Sequence, residues 1–147
     1  MLIDKLSQFA FPAAISTAAP GTSKFGDTID LAVVGQDLGE GHPLYWYTSV
    51  AVTATSAGAA TFSLQLVHAD NEALTANVVV ILVTGAVPVA SLTQGTELTK
   101  MALPILPYKR WLGVRQVVGT AAFTAGSLYS FLTPTPQNWK AYPEGLN

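Results

Sequence analysis

Cysteine is absent from the chain, and histidine occurs only at His42 and His68. The first absence removes disulfides, thiolate metal ligands and a cysteine nucleophile together, and leaves the redox compartment open. The second leaves too few imidazoles for an ordinary zinc site. Charge is scarce as well: 11% of the 147 residues are charged, against roughly 25% in an average soluble domain. Seven Lys and Arg against nine Asp and Glu give a net charge of −2 with no basic block. Phosphate backbones therefore find no electrostatic footprint, and nucleic acid is not an expected ligand. No charged residue falls between Glu72 and Glu97, a window long enough to span a bilayer. Residues 41–69 and 116–139 are equally uncharged yet rich in Thr, Ser, Gln and Pro, and Thr84-Gly85 and Pro88 cut the apolar run short. The window reads as a buried strand, and no membrane partner is expected. Residues 1–19 superficially resemble a signal peptide, but Asp4 cancels Lys5, and Ser7, Gln8 and Pro12 interrupt the apolar stretch.

What the chain does contain is apolar and β-forming. Hydrophobic residues make up 50%, enough for one core in a domain of this length. A surface poor in charge and rich in Thr, Ser, Ala and Gly costs little to desolvate, which favours work in contact with other proteins. Period-two patterning dominates. In Thr61-Phe62-Ser63-Leu64-Gln65-Leu66 the alternation assigns Phe62, Leu64 and Leu66 to a core face. Residues 45–55 precede it, with Trp46, Val50 and Val52 in phase, and Ser56-Ala57-Gly58-Ala59 between them reads as the turn of an antiparallel hairpin. Further strands are predicted over 25–34, 77–84, 97–103, 110–118 and 125–132. Short strands without crossover helices imply an all-β fold, an antiparallel β-sandwich or barrel. Residues 1–19 lack a strand pattern and read as an extended N-terminal arm, 20–132 as the β-domain, and the Pro-rich residues 133–147 as an extended C-terminal tail.

Chemistry is thinly represented. His68, Asp70 and Glu72 would share one side of an extended strand, an oxygen-rich metal face, but Asp70-Asn71-Glu72 is ordinary turn chemistry and His68 simply ends the strand. His42 reads as a loop residue. Nucleophile elbows, phosphate loops and zinc-helix motifs are missing, so neither enzymatic activity nor a cofactor or metal is expected. Tyr45-Trp46-Tyr47 suggests a carbohydrate-stacking platform, although alternation leaves only Tyr45 and Tyr47 looking outward.

Several segments in order carry a family resemblance: Ser16-Thr17 before Asp27-Thr28-Ile29-Asp30-Leu31, then Val50-Ala51-Val52 leading to Phe62-Ser63-Leu64-Gln65-Leu66. Leu103-Pro104 before Lys109-Arg110-Trp111-Leu112 follows, and then Val117-Val118-Gly119-Thr120 leading into Phe123-Thr124-Ala125-Gly126-Ser127, which is similar to the family's last hairpin. This arrangement resembles the Bbp16-type capsid cement (decoration) proteins of tailed bacteriophages over nearly all of the chain up to Leu132. The resemblance implies a sandwich of jelly-roll type, made in the cytoplasm of the bacterial host. It also implies a homo-oligomer, dimer or trimer, on the exterior of a virion capsid built from HK97-type major capsid protein. The alternative is a glycan- or receptor-binding β-sandwich module of a virion or cell surface.

Contact residues are expected among the apolar side chains of the arm, Leu2, Ile3, Leu6, Phe9 and Phe11, and among Trp139 and Tyr142 of the tail. On the strand over 110–118, Trp111 and Arg115 share a face opposite Leu112, Val114 and Val118, and Trp and Arg are favoured interface anchors. Either face of that strand is a candidate for the core.

Overall fold

Val, Ile, Thr and aromatic residues at period two leave the chain little choice but extended structure. The computed structural model describes residues 5–17, 19–32, 36–37 and 41–134. The strands in chain order are β1 (Gln8–Ala14), β2 (Gly21–Asp30), β3 (Gln36–Asp37), β4 (Tyr45–Ser56), β5 (Thr61–Ala69), β6 (Val79–Val83), β7 (Val87–Pro88), β8 (Glu97–Ala102), β9 (Pro107–Tyr108), β10 (Trp111–Gly119) and β11 (Phe123–Thr133). Two single-turn 3-10 helices, Lys5–Ser7 and Val89–Ser91, are the helical elements among the described residues.

All ladders are antiparallel. One sheet has the order β1-β11-β4-β8 and the other β2-β10-β5-β6, with β7 also on β5 and a small β3-β9 ribbon apart. The pairing is nested: β1 with β11, β2 with β10, β4 with β8, β5 with β6. The chain thus runs as one long ribbon folded back on itself.

The inner faces of both sheets feed a single core. Phe9, Ile15, Trp46, Val50, Phe123 and Leu128 from the first meet Phe25, Phe62, Leu64, Leu66, Leu112 and Val114 from the second. The rings of Phe62 and Phe123 meet edge to face across the sheets at 5.8 Å. Trp46 Nε1 donates to Ser130 Oγ at 3.0 Å inside the first sheet, whereas the buried Thr99 Oγ1 has no hydrogen-bond partner among the described residues. Gln116 ties the start of the chain down, its Oε1 accepting the Ser16 N–H at 3.1 Å and its Nε2 donating to Ser23 Oγ at 3.0 Å.

Four expectations need correction. Residues 8–14 are a strand within the first sheet, with Phe9 and Ala10 buried, where an arm without a strand was expected. The signal is disguised by Pro12, tolerated because β1 is an edge strand, and by two register shifts against β11 that break the alternation. Second, β4 and β5 do not form a hairpin: they belong to different sheets, and Ser56–Ala60 carries the chain from one to the other. The same holds for β10 and β11, expected as the last hairpin. Finally, Val52 is 54% exposed although Trp46 and Val50 are buried. Val50 pairs with Leu128 but Val52 with Ser127, so Ala51 is an extra residue that turns Val52 outward, and a second register shift between Val52 and Thr55 returns Ala54 to the core.

Gly26 lies within β2, at its register shift against β10, where the strand passes over β1. It has φ +66, and a Cβ there would overlap the carbonyl of Phe9. Only glycine allows the two strands so close.

Candidate functional site

Alternation along β10 buries Leu112, Val114 and Val118 in the core and turns Trp111, Gly113 and Arg115 to the outer face of the second sheet. Trp111 packs there on a small satellite cluster of Val67, Ala69 and Leu74, with Val78 alongside. Leu74 reaches the sheet because residues 70–77 are tightly wired. Asn71 Oδ1 accepts the N–H groups of Thr75 at 2.9 Å and Ala76 at 3.0 Å, and Asn77 Nδ2 donates to Asp70 Oδ2 at 2.7 Å. Lys109 Nζ bridges the loop, 3.2 Å from Asp70 and donating at 2.6 Å to the Asn77 carbonyl. Gly113 leaves the space that Leu74 fills, since a Cβ there would stand 2.6 Å from Leu74 Cδ1.

Charge frames this face. Arg110 grips Asp30 with two bonds of 2.9 Å and lies 5.2 Å from the Trp111 ring centroid. Its hydrogen bonds, with the Ala32 N–H, hold the Asp30 carboxyl down at about 2. Arg115 pairs in register with Lys24 on β2. Like charges directly opposed on a sheet are destabilising, and among the described residues neither is in an ion pair. Lys24 was not singled out from sequence. Only the cross-strand register reveals it.

On the outer face of the first sheet, aromatic rings run across three strands. Phe11 lies 4.9 Å from Tyr129 and 6.2 Å from Phe131, and Phe131 lies 5.2 Å from Tyr47. Phe11 is 46% exposed, whereas Phe131 and Tyr47 are buried. Burial raises the Tyr47 phenol above its ordinary value. Trp46 faces the core as the alternation requires, but Tyr47, expected to look outward with Tyr45, is 2% exposed, so the pair does not form a stacking platform.

The common face that an extended strand would give His68, Asp70 and Glu72 does not form. His68 is buried, its Nδ1 accepts the Lys109 N–H at 3.0 Å, and its ring stands edge-on to Tyr108 at 5.6 Å. Burial, then the charge of Lys109, lowers its pKa. Asp70 is committed to Asn77 and Lys109, and Glu72 is exposed. Among the described residues no group of three or more His, Asp or Glu side chains is placed to hold a metal ion. A pocket of about 320 Å³ opens between β1 and β2, lined by Lys5, Gln8, Phe11, Pro12, Gly26 and Asp27 among others. Its lining holds one carboxylate, Asp27, and one ammonium, Lys5, with no imidazole or hydroxyl side chain among the lining residues. No helix among the described residues is long and apolar enough to cross a membrane.

The expected contact residues scatter. Phe9 is 1% exposed in the core and is corrected from contact residue to core residue. Leu6 is exposed beside β1, and Phe11 lies on the outer face of the first sheet, while Trp111 and Arg115 lie on that of the second. Leu2, Ile3, Trp139 and Tyr142 lie outside the described residues.

No curated protein matches the sequence. The Bbp16 family model matches residues 11–132, from the middle of β1 to the penultimate residue of β11, and the chain belongs to the Bbp16 family.

Proposed function

We propose that this protein is a capsid cement protein of a tailed bacteriophage. It is a non-enzymatic jelly roll that binds the outer surface of an HK97-type shell as a homo-oligomer and holds neighbouring major capsid subunits together against the pressure of packaged DNA. The observation that carries the reading is the Bbp16 match over both sheets. The nested pairing of first strand with last, second with second-last, and so inward supports the jelly-roll part, because a double ribbon wrapped into two sheets has that order. The outer face of the second sheet is the proposed shell contact. There Trp111 supplies apolar area, and Lys24 and Arg115, opposed at a cost to the free fold, offer an acidic surface two unpaired cations.

Stabilisation follows from mass action. A ligand that binds only the intact, expanded lattice stabilises it by RT ln(1 + [L]/Kd), about 2.7 kcal/mol at a hundredfold excess over Kd, and an oligomer multiplies this by avidity. DNA-filled particles stripped of the protein should release their DNA at a lower temperature, and added protein should restore the original one. An unchanged release temperature on stripping contradicts the reading.

A further inference from the structure

The outer face of the first sheet is unevenly exposed. Tyr47, Ser49, Phe131 and Thr133 point outward from β4 and β11, away from the core, yet none is more than 4% exposed. Val52, on the same face toward its other end, is more than half exposed. Burial therefore deepens along the face toward Thr133, where β11 ends. The side-chain neighbours on a bare sheet do not close completely over a phenylalanine ring. Among the described residues the second sheet lies on the inner side, and the single turn Lys5–Ser7 that meets β11 covers little, since its Leu6 is exposed.

We infer that this patch is the docking site of residues 135–147 of the same chain, which lie outside the described residues. Position, reach and chemistry each point to that occupant. The segment departs next to Thr133, at the place where burial is deepest. At ~3.3 Å per residue it reaches about 40 Å, against about 15 Å across four strands spaced ~4.8 Å apart. Pro134, Pro136 and Pro143 favour an extended polyproline conformation, which loses little entropy when it docks on aromatic rings. The patch offers such rings in Phe11, Tyr47, Tyr129 and Phe131, and Trp139 and Tyr142 bring further apolar area to it. Glu97 and Lys100 sit on the β8 rim beside Ser49 and Tyr47, exposed and in no ion pair among the described residues. Lys140 and Glu144 supply the opposite signs. A chain that covers its own aromatic face removes a surface prone to adventitious association. The inference goes beyond the proposed function and does not depend on it.

Because the chain has no cysteine, a nitroxide can be attached at Ala141→Cys alone in the otherwise native full chain. In the isotope-labelled protein it should broaden the amide signals of residues 47–49 and 129–133 far more than those of 113–117 on the second sheet. Spin-labelled chain without isotope, mixed with isotope-labelled chain without nitroxide, should give no broadening, because the contact lies within one chain. Phe131→Ala, which leaves the core untouched, should keep the circular dichroism of wild type and speed tryptic cleavage after Lys140 at least about tenfold, as loss of a local contact does. Val52→Ala, on the bare part of the same face, should leave that rate unchanged. Absence of the broadening overturns the inference, and this reading holds even if Phe131→Ala fails to fold. Broadening in the mixed sample would assign the cover to another copy, and the same broadening from Leu2→Cys in place of Ala141→Cys would assign it to the start of the chain; either result overturns it. An unchanged cleavage rate in folded Phe131→Ala contradicts it as well.

Discussion

Gly113 and Leu74 show how one missing methyl group shapes the proposed contact face. Gly113→Ala would push a methyl group into Leu74 Cδ1 and Thr28 Cγ2, at 2.6 and 2.8 Å, and should cost about 1–3 kcal/mol, as overpacking does. Leu74→Ala should cost about 2 kcal/mol or somewhat more by truncation. The double variant should be less destabilised than the sum by at least about 0.5 kcal/mol, because the shortened side chain vacates the space the new methyl needs. Additive denaturation midpoints would mean that the two residues do not share that space. His68 gives the pH dependence. Its unfolded imidazole titrates near 6.5 and its folded one lower, so between those values the unfolded chain holds the extra proton. The contribution of this group is complete above 6.5 and falls as pH drops toward the folded pKa, when a protonated Nδ1 can no longer accept the Lys109 N–H. Asp30 and Asp70, both held below their ordinary value of 3.8, act above it and lose their contribution only in stronger acid. Tm should therefore begin to fall just below pH 6.5, and His68→Gln should flatten that first segment. An unchanged profile in the variant would assign the fall to other groups.

At the level of strands, β1 changes what a truncation does. Read as an arm, residues 1–19 cost more to order than their apolar side chains return, provided that only one side of them is buried and no main-chain bonds are added. The ladder to β11 adds the bonds, and Phe9 and Ile15, at 1% and 2% exposure, are buried completely. Deleting residues 2–15 should accordingly unfold the domain. Phe9→Ala should cost about 3–5 kcal/mol, whereas Leu6→Ala, at 80% exposure, should fall within about 0.5 kcal/mol of wild type. Equal effects of the two on Tm would contradict the placement of β1. Strands with unbroken alternation were legible in the sequence: Phe62, Leu64 and Leu66 face the core as the period requires. β1 was not, because bulges and an edge proline erase the period. Sheet membership was not legible either, since period two states which side of a strand is buried and not which strand lies beside it. Trp111 was legible as a choice between two faces, and Leu74, in a loop 37 residues away, decided it.

The whole molecule is two sheets sharing one core, with a basic–aromatic outer face on one sheet, an aromatic outer face on the other and an uncharged aliphatic edge at β6. Low charge, the first property visible in the sequence, is consistent across these surfaces with a molecule that works among protein neighbours. The register of β10 on β2 could not be read from the sequence, so the Lys24–Arg115 pair was hidden there although both residues were in plain view. The most direct measurement is co-sedimentation of the purified protein with emptied, expanded shells of the major capsid protein of its own phage. Wild-type protein should pellet saturably, and Lys24→Glu with Arg115→Glu should weaken binding at least about tenfold, or ~1.4 kcal/mol, at nearly unchanged Tm. Wild-type protein that stays in the supernatant with intact expanded shells at about 100 µM, where even weak binding should register, would contradict the account.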